Sequence, residues 1–546
     1  MSKTKPTEGD DPKPIQIAGI QIPVADQTPL VVALVAVIAR QERKIQDLED
    51  EIQRRKGTTR RPKISPSKLP GHGKPKRKPS GKRPGSAKRR KDLECRVTDT
   101  VALTLDDLPE GTRIEGYRNF YVQDLVIQPK VICYRRAVYR LPDGTLRVAE
   151  RPGQVDSHFG VGLRQYILLQ VHQNHVTQNR LLEELRERGI DISAGQISNI
   201  LLQGHDDLHA EKDELLPTAR EISGYLHCDD TSARHQGKPA VCTHIGNEWF
   251  ASFSTTPSKS RLNFLRLLCQ PMEQYRWCEE AAESLAWLGA GKKLQEKMSA
   301  TGDGSWGDRD SWERQLPHWG VESPEHRRLV SEAALCGTLL TETWYENLGL
   351  VSDDAPQFKL FGFVHGLCWV HGERKIDRLI PLTPSHVAAK ERAQSAFWEI
   401  YARLKAYRET PTPAEREVIE TEFDRLCSTK TPYPELNDAL GKLGSKRDPF
   451  LKDLEHPHLP LHNNLSENDI REYARLRKIS SGTRSDQGQR CRDTFLSLKK
   501  TCRKLGISFG AFLTDRLSGA AAIPRLSEVM RKTASARGPA ATAESG

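Results

Sequence analysis

The sequence predicts an α/β fold in which short strands, two of them ending in acidic residues, alternate with long helical segments. The hydrophobic period changes to two near residue 220, which is typical of strands. Three apolar stretches then read as strands, namely GYLHCDDT, GLVSDDAP and FGFVHGLCWVH. Residues 262–345 and 384–445 have helical character, so we expect them to be helical insertions in a sheet domain over residues 216–533.

The amino-terminal part of the chain is expected to contain a short coiled coil. Residues 1–29 are polar and contain prolines, so they are expected to be disordered. Residues 30–56 combine a helical charge pattern with apolar heptad rows, which would associate copies of the chain. The rows are Ile38, Ile45 and Ile52, and Leu34, Gln41 and Leu48. A helix packed against its own domain remains the alternative.

A basic segment follows the predicted coiled coil. Residues 54–91 hold 17 Lys or Arg and no Asp or Glu, and since the whole chain carries +11, the remainder carries −6. Such a one-sided run suits a polyanion, most often nucleic acid. Prolines and glycines exclude a packed core, so residues 57–92 are interpreted as a basic linker that contacts DNA; a merely solvated linker is the alternative. The candidate DNA-binding residues are Arg60, Arg61, Lys76, Arg77, Lys78, Arg89 and Arg90.

Two small domains are predicted between the linker and the sheet domain. Residues 93–155 contain NFYVQDLVIQ and KVICYRRAVYRL, with a turn at Pro142-Asp143-Gly144, and indicate a small β-rich domain. Residues 156–215 turn helical, with Gly189 ending one helix and Ser193 capping the next. Helix, turn and helix is the outline of a helix-turn-helix DNA-binding domain, although an ordinary helical hairpin has the same outline.

Composition excludes several classes of protein. No run of about 18 apolar residues exists, so no membrane span is expected, and the apolar run at residues 29–39 lacks the cleavage site of a signal peptide. The eleven cysteines form no CxxC pair, which suits a reducing cytoplasm and argues against a disulfide framework.

The strongest chemical signal is a set of acidic residues at predicted element ends. Asp229-Asp230 and Asp353-Asp354 close two apolar strands, and burying such acids is costly unless a cation is bound. Glu467 lies in the first turn of a helix that Asn463 or Asn464 is placed to cap.

These acids predict a site for divalent metal ions. Three hard oxygen ligands suit Mg²⁺ or Mn²⁺, and two such ions can activate a water or a 3′-hydroxyl in an in-line displacement. Arg471 and Arg475 follow Glu467 at spacings of four on one helix face, where they could hold a phosphate beside the metals.

At these residues the sequence resembles a known family, the bacterial insertion-sequence transposases of the IS-sixty-six type. CDDTSARHQGK resembles the first-aspartate strand of that family, and VSDDAPQF resembles the second. CWVHGERK resembles its CWAHARR segment, with Cys368 and His371 in a C-x-x-H pair. LHNNLSENDIR, followed by RKISSGTRSDQG, resembles the NN-x-x-E helix with its RK and GS segments, and this is the most specific match. The resemblance covers most of residues 30–515.

The resemblance implies a DDE transposase with an RNase H-like α/β core. Catalytic metal ligands would be Asp229, Asp353 and Glu467, with Asp230 and Asp354 next to them; only one acid of each pair can face the metals. The family's cofactor would be two Mg²⁺ or Mn²⁺ ions. Spacings of 124 and 114 residues separate the three acids, longer than in a minimal RNase H-like core, and helices fill both intervals.

The family's partners follow from the same resemblance. The protein would bind double-stranded DNA at terminal inverted repeats and at a target, work on DNA as a homo-oligomer of at least two copies, and use small accessory proteins in some cases. It would act in the bacterial cytoplasm, associated with the nucleoid. Alternatives are an RNase H-like nuclease or resolvase that cuts without joining, and a domesticated DNA-binding protein without catalysis.

Some positions depart from the family or stay open. Many members have paired CxxC motifs before the helix-turn-helix, whereas only Cys95 and Cys133 lie in that region here, so no zinc site is predicted. Cys368 and His371 are a metal half-site or, more simply, shape the strand end near the catalytic helix. The remaining candidates are Lys259 and Arg261, which contact DNA or are surface charges at a helix start, and Arg477 and Lys478 of the RK segment.

Overall fold

The computed structural model describes residues 15–17, 20–22, 28, 31, 94–105, 109, 111–152, 157–271 and 273–537. The chain divides into two compact units, Met1–Ile64 and Ser65–Gly546. The predicted coiled coil, apart from one residue, and the basic linker lie outside the described residues, as does the end of the predicted tail at residues 538–546.

In the first unit, two short strands form an antiparallel pair. They are β1 (Ile15–Ile17) and β2 (Ile20–Ile22), with Gln16 opposite Gln21. The prediction of disorder over residues 1–29 is wrong for these six residues. Both strands read Ile-Gln-Ile, and this alternation of β-branched and polar residues favours strand pairing.

The start of the second unit contains less sheet than the sequence predicts. Its described regular structure is a hairpin of β3 (Val138–Arg140) and β4 (Leu146–Val148) around the expected turn. The predicted strand NFYVQDLVIQ has no regular secondary structure, so this part of the prediction is wrong. Its apolar side chains are exposed, with Phe120 at 90%, because no second layer formed by the described residues covers them.

Four helices fill the region in which a helix-turn-helix was predicted, and a fifth begins at its last residue. They are α1 (Val161–His172), α2 (Gln178–Glu187), α3 (Ala194–Leu202), α4 (Asp206–Asp213) and α5 (Leu215–Ile222). The predicted boundary residues are confirmed. Gly189 has a φ of +79° after α2, and Ser193 accepts a hydrogen bond from the Gln196 amide in a capping box that begins α3.

A five-stranded mixed sheet forms the centre of the second unit. Its strands are β5 (Tyr225–His235), β6 (Lys238–Gly246), β7 (Ala251–Thr256), β10 (Gly349–Ser352) and β11 (Val364–Leu367). They lie in the order β11-β10-β5-β6-β7. β5, β6 and β7 are antiparallel neighbours, whereas β10 runs parallel to both β5 and β11. The prediction of a mixed α/β fold is confirmed.

The first acidic strand is longer than predicted. β5 continues for five residues beyond Asp230 and pairs with β6 through a tight turn at Gln236 and Gly237, both with positive φ. Asp229 and Asp230 therefore lie in the middle of β5 and not at its end. The sequence did not indicate this continuation, SARH, because most of its residues are polar. Ser232 and Arg234 lie on an exposed face of the sheet.

Helices form both insertions, as predicted. The first contains α6 (Arg261–Cys269), α7 (Glu279–Trp287), α8 (Lys292–Ser299), α9 (Arg309–His318) and α10 (Pro324–Leu340). It also contains a small antiparallel sheet that the sequence did not indicate, β8 (Tyr275–Trp277) with β9 (Gly304–Trp306). The second follows α11 (Trp369–Asp377) and contains α12 (Pro384–Glu409), α13 (Pro413–Ser428), α14 (Pro434–Gly444) and the short α15 (Arg447–Phe450).

Four helices complete the unit, and one of them closes the edge of the sheet. They are α16 (Asn464–Ser480), α17 (Asp486–Lys504), α18 (Phe509–Ser518) and α19 (Leu526–Arg537). Asp493, Ser497 and Thr501 repeat every four residues on α17 and accept hydrogen bonds from three amides of β7. These side chains thus satisfy donors that an edge strand would otherwise expose. Helix α19 includes the first residues of the predicted tail, which corrects that boundary.

The loop between α16 and α17 lies against the end of β5. The Thr483 amide donates to the Arg234 carbonyl at 3.0 Å, and the Gln236 amide donates to the Thr483 carbonyl at 2.7 Å. A Cβ at Gly482 would come within 2.4 Å of the Arg234 carbonyl oxygen, so only glycine allows this close approach. The loop therefore fixes the end of α16 to the sheet.

Candidate active site

Asp229 and Asp353 lie on neighbouring parallel strands. β10 pairs with β5 so that Val351 lies opposite His227, and Asp353 follows the last residue of β10. Continuing this register by two residues places Asp353 beside Asp229. The sequence prediction that Asp353 follows a strand end is confirmed.

The electrostatic environment of Asp229 reflects this proximity. Burial raises the pKa of the Asp229 carboxyl to about 7, and the negative charges of Asp353, Asp230 and Glu467 contribute in the same direction. The Asp230 amide, which donates to Asp229 Oδ1 at 2.8 Å, opposes the shift. The charges of Asp353 and Glu467, each more than a hundred residues from Asp229 in sequence, therefore reach Asp229.

The second acid of each pair is bound by other side chains. Lys259 Nζ lies 3.0 Å from Asp230 Oδ1, and the Gln357 amide donates to the other oxygen. Asp354 is surrounded by three lysines, Lys359, Lys375 and Lys446. Among the described residues, no Lys, Arg or His side chain forms an ion pair with Asp229 or Asp353, although the charge of Asp353 acts on Lys375.

Glu467 lies in the first turn of α16, as predicted, but the cap of that helix differs from the prediction. Asn463 occupies the N-cap position without capping through its side chain. Its amide group instead donates to the Cys228 carbonyl of β5 at 2.8 Å, and its backbone amide donates to Cys368 Sγ at 3.2 Å. Asn463 therefore ties the start of α16 to the strand that carries Asp229.

Cationic side chains hold one oxygen of Glu467. Arg374 on α11 and Arg471 on α16 donate to Glu467 Oε2 at 3.2 and 3.3 Å. His371 Nε2 lies 3.5 Å from Oε1, which is buried and makes no hydrogen bond. Burial lowers the pKa of His371, while the Glu467 charge opposes that shift.

The C-x-x-H pair belongs to a helix start rather than to a strand. Cys368 is the N-cap residue of α11, and His371 lies in the first turn of that helix. The Cys368 amide donates to the Ser352 carbonyl at 3.0 Å, next to Asp353, while its thiol accepts from Asn463. Burial raises the pKa of Cys368 to about 11, so this thiol is protonated and links the second-aspartate strand to the start of α16.

The remaining predicted residues are spread around this centre. Arg261 forms hydrogen bonds to the Lys359 and Pro356 carbonyls and an ion pair with Glu332, so it is a structural residue of the first insertion. Arg477 donates to Ser232 of β5. Arg475 and Lys478 are exposed on α16.

The glutamate helix is fixed on its inner side by a buried charged cluster. The His244 ring and the Ser466 hydroxyl share a hydrogen bond of 2.6 Å, and His244 Nε2 lies 3.3 Å from Asp469 Oδ2. Lys504 and Lys500 on α17 lie 2.8 and 3.4 Å from the Asp469 carboxylate. This cluster attaches α16 to β6 and α17 within one turn of Glu467.

Sequence reasoning missed Arg374, the lysines around Asp354 and the Asp469 cluster. For Arg374 a signal was present, because it follows His371 by three residues and therefore shares a helix face with it. The lysines around Asp354 come from three distant segments, and no local pattern relates them.

The residue types at this centre fit hard divalent cations. Asp229, Asp353 and Glu467 supply carboxylate oxygens, and the buried Oε1 of Glu467 lacks a hydrogen-bond partner. Within the described part of the chain, no group of three or more His, Cys, Asp or Glu side chains is arranged to hold a metal ion. The charges of Asp353 and Glu467 reach Asp229, and arginines orient Glu467 through its other oxygen.

None of the helices in the described residues is both long enough and apolar enough to cross a membrane.

A family model described as Transposase IS66 family, the IS-sixty-six type, matches residues 156–263 and 345–491. The unmatched interval corresponds to most of the first helical insertion.

A protein of Sinorhizobium fredii (strain NBRC 101917 / NGR234) described as uncharacterized protein y4jO is also similar. It is 38% identical over 295 residues, which cover 54% of this chain and 91% of that protein. The two regions matched by the family model contain Asp229, Asp353 and Glu467, together with the elements that carry them. The chain therefore belongs to the IS66 transposase family.

Proposed function

We propose that this protein is a DNA transposase that cleaves the ends of an insertion sequence and joins them to target DNA. Asp229, Asp353 and Glu467 serve as metal ligands in this proposal. The observation that carries it is the crowding of acids at Asp229, where burial raises the pKa to about 7 and the charges of Asp353, Asp230 and Glu467 add to the shift. A site that crowds acids in this way gains from a bound cation.

The arrangement of the sheet supports an RNase H-like core. Three antiparallel strands are followed by two parallel ones in the order β7-β6-β5-β10-β11. The first acid lies on the central strand β5, the second follows its parallel neighbour β10, and the third lies on a helix that packs against β5. This matches the arrangement that the family resemblance implies.

The roles of the side chains follow from their contacts. Two Mg²⁺ or Mn²⁺ ions, when bound, would activate a water or 3′-hydroxyl and stabilise the leaving oxygen. Asp229 and Asp353 face this chemistry because other side chains bind Asp230 and Asp354. Arg374 and Arg471 orient Glu467 through Oε2, and this leaves Oε1 for a metal.

DNA recognition is assigned to the regions before the sheet. Helices α2 and α3, with the Ser193 cap between them, would read the terminal inverted repeat, and the basic linker at residues 57–92 would contact phosphates. Such a protein would act at the bacterial nucleoid. The proposal also includes a homo-oligomer, since residues 97–148 expose many large apolar side chains that a second copy could cover.

The proposal is tested with a joining assay. Purified protein, Mn²⁺ or Mg²⁺ and a labelled duplex carrying the element end are mixed with plasmid, and the wild type is compared with Asp229→Asn, Asp353→Asn and Glu467→Gln. We expect joined product that depends on metal and falls at least about 100-fold in each variant. Asp230→Asn is the matched control, because it removes the neighbouring charge on the same strand.

The outcomes separate the competing functions. A protein that cleaves the element end but joins neither these products nor precut ends to the plasmid would be a nuclease or resolvase. The other outcome is specific binding to the element end without cleavage. If the three substitutions leave this binding unchanged, and added neighbouring gene products bring no cleavage, the protein is a DNA-binding protein without catalysis.

A further inference from the structure

Three lysines converge on a single carboxylate beside Asp353. Lys359 Nζ lies 3.0 Å from Asp354 Oδ1, Lys375 Nζ lies 3.1 Å from Oδ2, and Lys446 also contacts Oδ2. The three come from different elements, namely the loop after β10, helix α11 and the loop between α14 and α15. We call Lys359, Lys375 and Lys446 the lysine triad.

The lysine triad carries more charge than its carboxylate neutralises. Within ion-pair contact, one carboxylate faces three ammonium groups, a surplus of two positive charges, while the charges of Asp353 and Lys442 outside the cluster act on Lys375 in opposite directions. For stability alone this is a poor arrangement, because like charges repel and an exposed ion pair contributes little. The three lysine side chains are 29–40% exposed, so solvent and a large ligand can reach them.

An ion-pair cluster just after α15 has the opposite balance. Lys452 lies 2.9 Å from Asp448 and 3.0 Å from Glu455, so one lysine serves two acids. Lysines also converge on Asp469, where Lys500 and Lys504 are buried at 6% and 8% exposure, so the lysine triad is distinguished by its accessibility to solvent.

We propose that the lysine triad binds a phosphate of the DNA backbone, and that Asp354 occupies this site in the DNA-free protein. A phosphodiester carries one negative charge on two free oxygens, which resembles a carboxylate in charge and in its acceptor atoms. Because Asp354 directly follows Asp353, the bound phosphate would lie next to the metal ligands and place the strand for reaction. The inference rests on the proposed function only in taking DNA as the substrate.

The first test measures binding and requires no cleavage. Affinity of the full chain for a duplex carrying the element end and for an unrelated duplex is measured across a range of salt concentrations. Lys375→Gln should weaken binding to both duplexes and reduce the salt slope by about 1, since one phosphate contact is lost. Asp354→Asn, which keeps the shape and removes the competing charge, should tighten binding several-fold. Lys452→Gln is the matched control and should leave affinity unchanged.

The second test locates the ligand without any substitution. Lysine acylation of the wild-type protein is followed by mass spectrometry, in the presence of duplex, of inorganic phosphate or of neither. We expect duplex to protect all three lysines and Lys452 to react equally throughout. Protection by inorganic phosphate but not by duplex would assign the site to a free anion and overturn the proposal.

Other results also decide the question. If Asp354→Asn weakens binding or leaves it unchanged, Asp354 holds the loop together and does not occupy a ligand site. If the protein gives joined product but duplex does not protect the lysine triad from acylation, the phosphate site is wrong and the transposase activity stands. If duplex protects the lysine triad but the protein neither cleaves nor joins DNA, only the proposed activity is wrong.

Discussion

Arg374 Nη2 lies 3.2 Å from Glu467 Oε2, although 93 residues separate them, while Glu467 Oε1 is buried without a hydrogen bond. Arginine thus holds one oxygen of the carboxylate, while the other makes no hydrogen bond and has only His371 Nε2 at 3.5 Å. A residue that orients a metal ligand through its second oxygen tunes affinity without touching the metal.

Arg374→Gln should therefore lower metal-dependent cleavage about 10- to 100-fold at limiting Mn²⁺, with partial recovery at saturating Mn²⁺. Arg374→Lys should lie between this variant and the wild type, because lysine keeps the charge but not the planar pair of donors. The measurement is initial cleavage rate against Mn²⁺ concentration. Tighter Mn²⁺ binding with undiminished cleavage in Arg374→Gln would show instead that Arg374 competes with the metal.

The raised pKa of Asp229 predicts a pH-dependent stability. Because its pKa is about 7 when folded, against an ordinary value of 3.8, the folded protein holds this proton more tightly than the unfolded chain. Its contribution to stability is therefore complete below the ordinary pKa and is lost as pH rises through about 7.

In metal-free buffer, the Tm of the wild type should fall relative to that of Asp229→Asn between pH 5 and pH 8, as measured by thermal denaturation. Added Mn²⁺ should reduce this difference at pH 8, because a cation stabilises the ionised carboxylate. Parallel Tm profiles for the two proteins would contradict the assigned environment of Asp229.

The cluster behind the glutamate helix predicts a large loss of stability when one charge is removed. Burial alone would raise the pKa of Asp469, but the Lys504, His244 and Lys500 groups hold it well below its usual range. Lys504→Met leaves this buried carboxylate short of its nearest cation, and should cost about 3 kcal/mol in the free energy of unfolding.

Chemical denaturation measures this loss, and two variants give the comparison. The double variant Asp469→Asn, Lys504→Met should be more stable than Lys504→Met, because no buried charge is left without its partner. Lys452→Met, in a more exposed cluster, should cost less than about 1 kcal/mol. Equal losses in Lys504→Met and Lys452→Met would argue against a structural role for the cluster.

The basic linker should add affinity without specificity. Deleting residues 57–91 removes most of a run of 17 cationic side chains, so binding to all duplexes should weaken similarly and the salt slope should flatten. Electrophoretic mobility shifts at several salt concentrations, with the element end and an unrelated duplex, measure this. A loss confined to the element end would instead place sequence recognition in the linker.

Much of the fold was predictable because it depends on local patterns. Gly189 and Ser193 mark helix boundaries through backbone conformation and capping, which involve only nearby residues. The helical insertions and the strand before Asp353 were predictable from periodicity. The extent of β5 was not, since its polar second half is a strand only because β6 pairs with it.

By itself the sequence determined the three candidate acids, Asp229, Asp353 and Glu467, and their order along the chain, because each lies in a short motif. Only the tertiary structure decided which member of each aspartate pair is bound by cations, since Lys259, Lys375 and Lys446 reach the second acids from distant elements. It also brought Arg374 to Glu467. Ion pairs depend on distance in space, and a linear sequence records distance only along the chain.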